Sequence, residues 1–208
     1  MTNVLIIDSA ATGDASVSRR LTGELEAILR GRGAGRIVRR DVGTETIPHL
    51  TAATTAAIRG APAETDAARE AIALSDTLIA ELKAADLVVI GAPMYNFGMP
   101  STLKAWFDHV LRAGITFRYS QTGPEGLVKG KKAIVIESRA GLYSEGPAAA
   151  MDSQEPHLRT LLGFMGLDDV AFVRVEKLAF GPDQEAASFA EAIEELRSLA
   201  ADDLPLAA

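Results

Sequence analysis

The chain contains no cysteine. Disulfides, thiolate catalysis, iron–sulfur clusters and cysteine-ligated zinc are therefore excluded. No apolar run approaches the ~18 residues that a membrane span requires. A basic start followed by a long apolar stretch is also missing, because Met1-Thr2-Asn3-Val4 leads straight into a strand-like segment. No secretion signal is expected from such a start. Positive charge is in short supply, with 21 Lys and Arg against 28 Asp and Glu and a net charge of −7. Without a basic stripe there is no electrostatic footprint for nucleic acid, and the acidity reads as solubility. The histidines, His49, His109 and His157, are scattered without metal-ligand spacing. No Gly-x-Ser-x-Gly elbow occurs, so hydrolase chemistry has no support. These absences are compatible with a cytoplasmic protein that binds neither nucleic acid nor membrane.

What is present is ordinary in bulk: 208 residues, 48 % hydrophobic and 24 % charged. This length suits one domain, residues 1–208, with a single large core. Val4-Leu5-Ile6-Ile7, Leu87-Val88-Val89-Ile90 and Ala133-Ile134-Val135-Ile136 are short, continuously apolar runs, the pattern of strands buried on both faces. Arg36 to Val42 reads as a weaker strand near a sheet edge, and Val170 to Val175 as a fifth strand. Between them lie helical patterns: Ser16 to Leu29, with Leu21, Leu25, Ile28 and Leu29 on one face; Asp66 to Lys83; Pro100 to Leu111; residues 147–165; and Asp183 to Ala200. Residues 43–66 and 115–128 read as long loops, the first with a possible short helix near Thr51–Arg59, and the tail from Asp202 to Pro205 is expected to fray. Strands alternating with helices predict an α/β fold, a doubly wound, flavodoxin-like parallel sheet of five strands with helices on both faces. Ligands in such sheets bind beyond the carboxyl ends of the strands, where the strand order reverses.

That rule selects three loops. The first, Asp8 to Ser18, is rich in small and hydroxyl residues and opens a helix, whose free N–H groups and dipole suit a phosphate dianion. Ser16 serves equally well as a helix cap, and Arg19 and Arg20 read as solvated helix residues. The second, Gly91-Ala92-Pro93-Met94-Tyr95-Asn96-Phe97-Gly98-Met99-Pro100, sets aromatic and thioether side chains beside an amide at a sheet mouth. This combination fits a planar heteroaromatic ligand with a polar edge better than it fits core packing. The third, Glu137 to Tyr143, holds small residues that permit close backbone approach, although alone it reads as a plain connection. Two glycine motifs are decoys. Gly31-Arg32-Gly33-Ala34-Gly35 follows a helix instead of a strand, and Gly126 to Lys132 is one residue short of a phosphate-loop spacing. His109, in a helix beside Trp106, reads as structural.

At the second loop the chain resembles a known family. Pro93 to Asp108, Arg112 to Tyr119, Gly123 to Leu127, Ser138-Arg139 and Leu162-Gly163-Phe164-Met165-Gly166 are similar to the bacterial FMN-dependent NADH-azoreductases, also described as FMN-dependent NADH:quinone oxidoreductases. The resemblance implies a homodimer that binds FMN. The phosphate would be held by Ser9, Ser16, Val17 and Ser18. The ring would be held by Met94, Tyr95, Asn96 and Phe97, and by Ser138, Arg139, Ala140 and Gly141. Ser9-Ala10 departs from the family, which places serine second, and Ala140 replaces the first of two glycines. The implied activity is ping-pong transfer of a hydride from NADH or NADPH through FMN to quinones or azo compounds. The flavin carries the chemistry and no protein acid–base residue is required. Phe97 is the expected wall for flat substrates, and Tyr119 a candidate for reaching the partner subunit. The alternative is a flavodoxin-type electron carrier that docks to redox proteins; a flavin-free scaffold fits three coincident ligand loops less well.

Overall fold

Alternation along each strand decides the architecture. In β1 (Val4–Asp8) every residue is buried, yet Leu5 and Ile7 join one apolar cluster while Val4 and Ile6 join another. A strand that is apolar on both sides must be covered on both sides. The structure, a computed structural model, describes residues 1–45 and 47–202; the expected fraying of residues 203–205 lies outside them. β2 (Ile37–Asp41), β3 (Leu87–Pro93), β6 (Lys132–Ser138) and β7 (Asp169–Val175) join β1 in one sheet of order β2-β1-β3-β6-β7, all parallel. The order reverses between β1 and β3. The weaker strand at 36–42 is, as its charges suggest, an edge strand, half-buried throughout.

Helices α1 (Val17–Gly31) and α6 (Pro182–Asp202) cover the face of Val4 and Ile6, through Leu21, Leu25, Leu29, Ala192 and Leu196. Helices α3 (Asp66–Ala84), α4 (Ser101–Val110) and α5 (Gln154–Met165) cover the other face, with Leu78, Leu82, Trp106, Phe107, Leu158 and Leu162. Each fully buried Leu or Phe contributes roughly 1.5–3 kcal/mol. The short helix foreseen in the loop after β2 is α2 (Ala52–Ile58). α1 begins where Ser16 accepts the Arg19 N–H. It ends where Gly33 turns to φ +81 and the Ala34 N–H reaches the Leu29 carbonyl at 3.0 Å, the bond pattern of a left-handed helix stop.

Two segments differ from expectation. Residues 115–128 contain an antiparallel hairpin, β4 (Phe117–Ser120) with β5 (Gly123–Gly126). It docks by stacking Phe117 on Phe164, with ring centres 4.6 Å apart. Its strands have four residues each, and Gly-Pro-Glu-Gly carries none of the β-branched patterning by which strands announce themselves. The helical stretch at 147–165 is broken. A 3₁₀ turn at Pro147–Met151 precedes α5, because the Asp152 carboxylate accepts the N–H groups of Gln154 and Glu155 at 2.8 and 3.2 Å and starts the helix afresh.

Gly43, just after β2, lies against the first loop so tightly that a methyl group would fall 2.2 Å from the Ala10 carbonyl oxygen. Gly43→Ala should therefore cost roughly 1–3 kcal/mol by overpacking. Gly23, inside α1 with nothing within 4 Å of an added methyl, should gain roughly 0.5–1 kcal/mol as alanine. Thermal melting of the two variants should move in opposite directions; a Gly43→Ala protein that melts with the parent would contradict the contact.

Candidate functional site

All three loops leave the carboxyl edge of the sheet at neighbouring strands, and hydrogen bonds hold them in fixed relation. Ser9 lies under the first loop, where both its N–H and its hydroxyl donate to the Gly91 carbonyl, at 3.2 and 2.7 Å. Expected as a phosphate contact, Ser9 has committed both donors to joining β1 and β3. Ser16 and Ser18 are buried and their hydroxyls meet at 3.0 Å. The N–H groups of Val17 and Ser18 open α1 and lack acceptors within the helix. Tyr95 reaches back from the second loop, its phenol oxygen accepting the Ala11 N–H at 3.1 Å, so its proton remains available to a ligand between the loops. The donor set is therefore one hydroxyl of the serine pair, whose other proton is spent within the pair, two helix-terminal N–H groups and a phenol. Asp14, the nearby carboxylate, is turned outward and paired with Arg19 at 3.1 Å. Donors without acceptors at a helix start fit a phosphate. Arg19 is held by Asp41 and Arg20 packs on Phe189, so neither arginine joins this set.

The second loop is a tight turn. Tyr95 and Gly98 exchange two backbone bonds of 2.9 and 3.1 Å, which places Asn96 and Phe97 at φ +49 and +70. Turns with two left-handed residues favour Asn-Gly; a phenylalanine in the second place costs on the order of 1–3 kcal/mol. That strain presents the ring: Phe97 is 40 % exposed, with its neighbour Tyr143 edge-on at 6.0 Å. Met94 ties this loop to the third, its N–H donating to the Ser138 carbonyl at 2.9 Å.

In the third loop Ser138 is buried. Ala140 is absent from the positive-φ positions, so its methyl group brings no backbone strain. Gly141 is tightly confined, because a methyl there would lie 3.0 Å from the Tyr143 ring. Arg139, expected beside the ring, turns its guanidinium into the interior. It is fully buried and surrounded by the carboxylates of Glu137 (2.6 Å), Asp152 (3.0 Å), Glu176 (3.2 Å) and Glu155 (3.8 Å), with the side-chain amide oxygen of Gln154 at 3.4 Å. The Arg139 backbone is engaged as well, the N–H donating to the Val175 carbonyl at 2.8 Å and the carbonyl accepting the Leu178 N–H at 3.3 Å. Burial pushes the Glu137 carboxyl up to about 8, and the Arg139 charge offsets this only in part. Its second oxygen has no partner among the described residues, as befits an acid that keeps its proton. Burial would raise Glu155 as well, but hydrogen bonds from Arg174 and Arg159 outweigh it and hold Glu155 at about 2.

Sequence reasoning missed Asp152, Ser153, Gln154 and Glu176, which carry no motif and reach the site only through packing of α5 and the end of β7. His109 is buried and meets the Pro48 carbonyl at 2.9 Å, in keeping with a structural role. Among the described residues no cluster of His, Asp and Glu could hold a metal ion, and no helix is long and apolar enough to cross a membrane.

A profile described as the flavodoxin-like fold matches residues 2–200. The chain is 56 % identical over 191 residues to an FMN-dependent NADH:quinone oxidoreductase of Hyphomonas neptunium, covering 90 % of each chain. It is 52 % identical over 186 residues to a protein of the same name from Ralstonia nicotianae, covering 88 % of this chain and 89 % of the other. Among solved structures it is similar to an azoreductase from Bacillus anthracis, with a TM-score of 0.87, 28 % identity, and coverage of 96 % and 99 %.

The Glu137 carboxyl yields a pH prediction. It titrates near 8 in the fold and near its ordinary value of about 4.5 once unfolded. The folded state thus binds the extra proton between those values, and stability falls as pH rises through that window. Glu137→Gln should remove this slope, so the melting temperatures of parent and variant should converge or cross between about pH 5 and 8. Parallel melting curves across that range would contradict a protonated Glu137.

Proposed function

The chain belongs to the flavodoxin-like fold family, and from that premise we propose that it is an FMN-dependent NADH:quinone oxidoreductase that also reduces azo compounds. FMN, held by the three loops, would supply two-electron redox chemistry between a reduced nicotinamide and a quinone or azo acceptor, a hydride equivalent coming from the nicotinamide and the second proton from solvent. The observation that carries the reading is the pairing, on one sheet edge, of a phosphate-type donor set with a strained aromatic turn, at the point where the strand order reverses.

The chain's own contribution is binding, orientation and exclusion of water. Ser16, Ser18, Tyr95 and the N–H groups of Val17 and Ser18 hold the phosphate. Ser9 supports them from beneath by fixing the first loop to Gly91. Met94, Tyr95, Asn96 and Phe97 border the ring on one side. Ser138, Ala140 and Gly141 would border it on the other, where the Ala140 and Gly141 N–H groups could donate to acceptor atoms of the ring. Phe97 and Tyr143 form the apolar wall against which a flat acceptor stacks. No general acid or base is assigned to the protein. The working form we propose is a cytoplasmic homodimer, in which Tyr119, 74 % exposed on the hairpin, lies at or near the partner. The electron-carrier alternative is not favoured, since the similar proteins from Hyphomonas and Ralstonia are named as oxidoreductases.

The purified protein, incubated with FMN, should show flavin absorption near about 375 and 450 nm. Those bands should bleach with NADH under anaerobic conditions and return on adding a benzoquinone. A protein that takes up no FMN would overturn the assignment. Phe97→Ala should retain FMN and lose about two- to tenfold in kcat/KM for the quinone, the worth of one aromatic contact. Unchanged quinone kinetics would remove Phe97 from the substrate wall.

A further inference from the structure

The second and third loops share one anchor. On one side of the Arg139 guanidinium stands Asp152, 3.0 Å away. Its other oxygen caps the first turn of α5 by accepting the Gln154 and Glu155 N–H groups. From that turn the Ser153 N–H donates to the Phe97 carbonyl at 3.0 Å. The Gln154 amide, also fully buried, donates to the Ala92 carbonyl at 2.8 Å and accepts from Arg139 at 3.4 Å. The second loop is thus held at Ala92, where it leaves β3, and at Phe97 within the turn, by Gln154 and by Ser153 beside it, both next to the Asp152 cap that Arg139 grips. On the other side stands Glu176, 3.2 Å away. It gathers the third loop by accepting the Tyr143 and Ser144 N–H groups at 2.8 and 3.0 Å and the Ser144 hydroxyl at 2.5 Å. The two arms meet again where the Tyr143 ring touches Phe97.

We propose that Arg139 is a positioning residue. Through Asp152 and Gln154 on one side and Glu176 on the other, it sets the distance between the two ring loops, and with it the affinity for the flavin and the stance of Phe97 toward a flat acceptor. The inference rests on the reading that FMN lies between these loops. Its physical basis is that a left-handed phenylalanine persists only where its surroundings over-determine it. A forked guanidinium with five donors can hold several acceptors at fixed angles, which a lysine ammonium cannot.

Removing Arg139 would leave Asp152 and Glu176 without their buried counter-charge, so the test is made at Gln154. Gln154→Met keeps the length and packing of the side chain and deletes the bonds to both Arg139 and Ala92. FMN affinity is measured by quenching of flavin fluorescence, alongside thermal melting of the flavin-free protein and steady-state kinetics with benzoquinone at saturating FMN. We expect a cooperatively folding variant whose FMN Kd rises about tenfold, the order of one net hydrogen bond, and whose quinone KM rises by a larger factor than kcat falls. Arg159→Ala is the control. Arg159 touches the same cluster only from its outer side, at Glu155, and its loss should leave FMN affinity unchanged. A Gln154→Met protein with wild-type Kd and KM overturns the inference, whatever happens to its melting temperature. A wild-type chain that binds no FMN overturns both the inference and the functional reading beneath it.

Discussion

Everything in this molecule follows from a parallel sheet that is apolar on both sides. β1 and β3 are buried along their whole lengths, and successive side chains go to separate cores. No face of the central sheet is left for chemistry. Polar groups can gather only where the strands end and the backbone departs into loops. The site is therefore built largely from backbone: carbonyls and N–H groups of Ala11, Gly91, Ala92, Phe97 and Ser138 make most of the bonds that fix its shape. Side chains enter mainly as struts between them. This explains why a redox protein can do without a catalytic acid, base or nucleophile of its own.

The sequence announced the scaffold because burial leaves a simple trace. Continuous apolar runs mark strands covered on both sides, and the half-buried β2 shows its edge position through Arg39 and Arg40. The first loop was legible as the start of a helix, because hydroxyl residues there serve as caps as readily as they bind anions, and Ser16 does cap α1. What could not be read was whatever depends on distant partners. Ser9 looks like its neighbours in composition, yet its proton is taken by Gly91, 82 residues away. Arg139 sits in the most recognisable motif of its loop and still turns inward. Gln154 and Glu176 stand in unremarkable sequence and act only because α5 and β7 bring them to the same guanidinium. The hairpin at 117–126 escaped notice for the opposite reason: its strands are too short to express a period.

The cluster around Arg139 also shows how a protein balances charge without water. Four carboxylates surround one fully buried arginine, and Arg174 and Arg159 reach only Glu155 from outside. Three positive charges against four negative leave one too many, and the deepest carboxylate, Glu137, resolves it by retaining a proton. Burial without full compensation is resolved by neutralisation more readily than by unfolding.

The exposed margin formed by β2 carries a further consequence. A strand at the end of a sheet presents unpaired backbone groups to any extended chain that passes. Here Arg39 is drawn toward Asp8 and Glu26 on one face, and Arg40 toward Glu81 on the other. The same ion pairs therefore clamp the sheet's weakest strand to β1, α1 and α3 from both faces, so the border is held by charge where it lacks a second neighbouring strand.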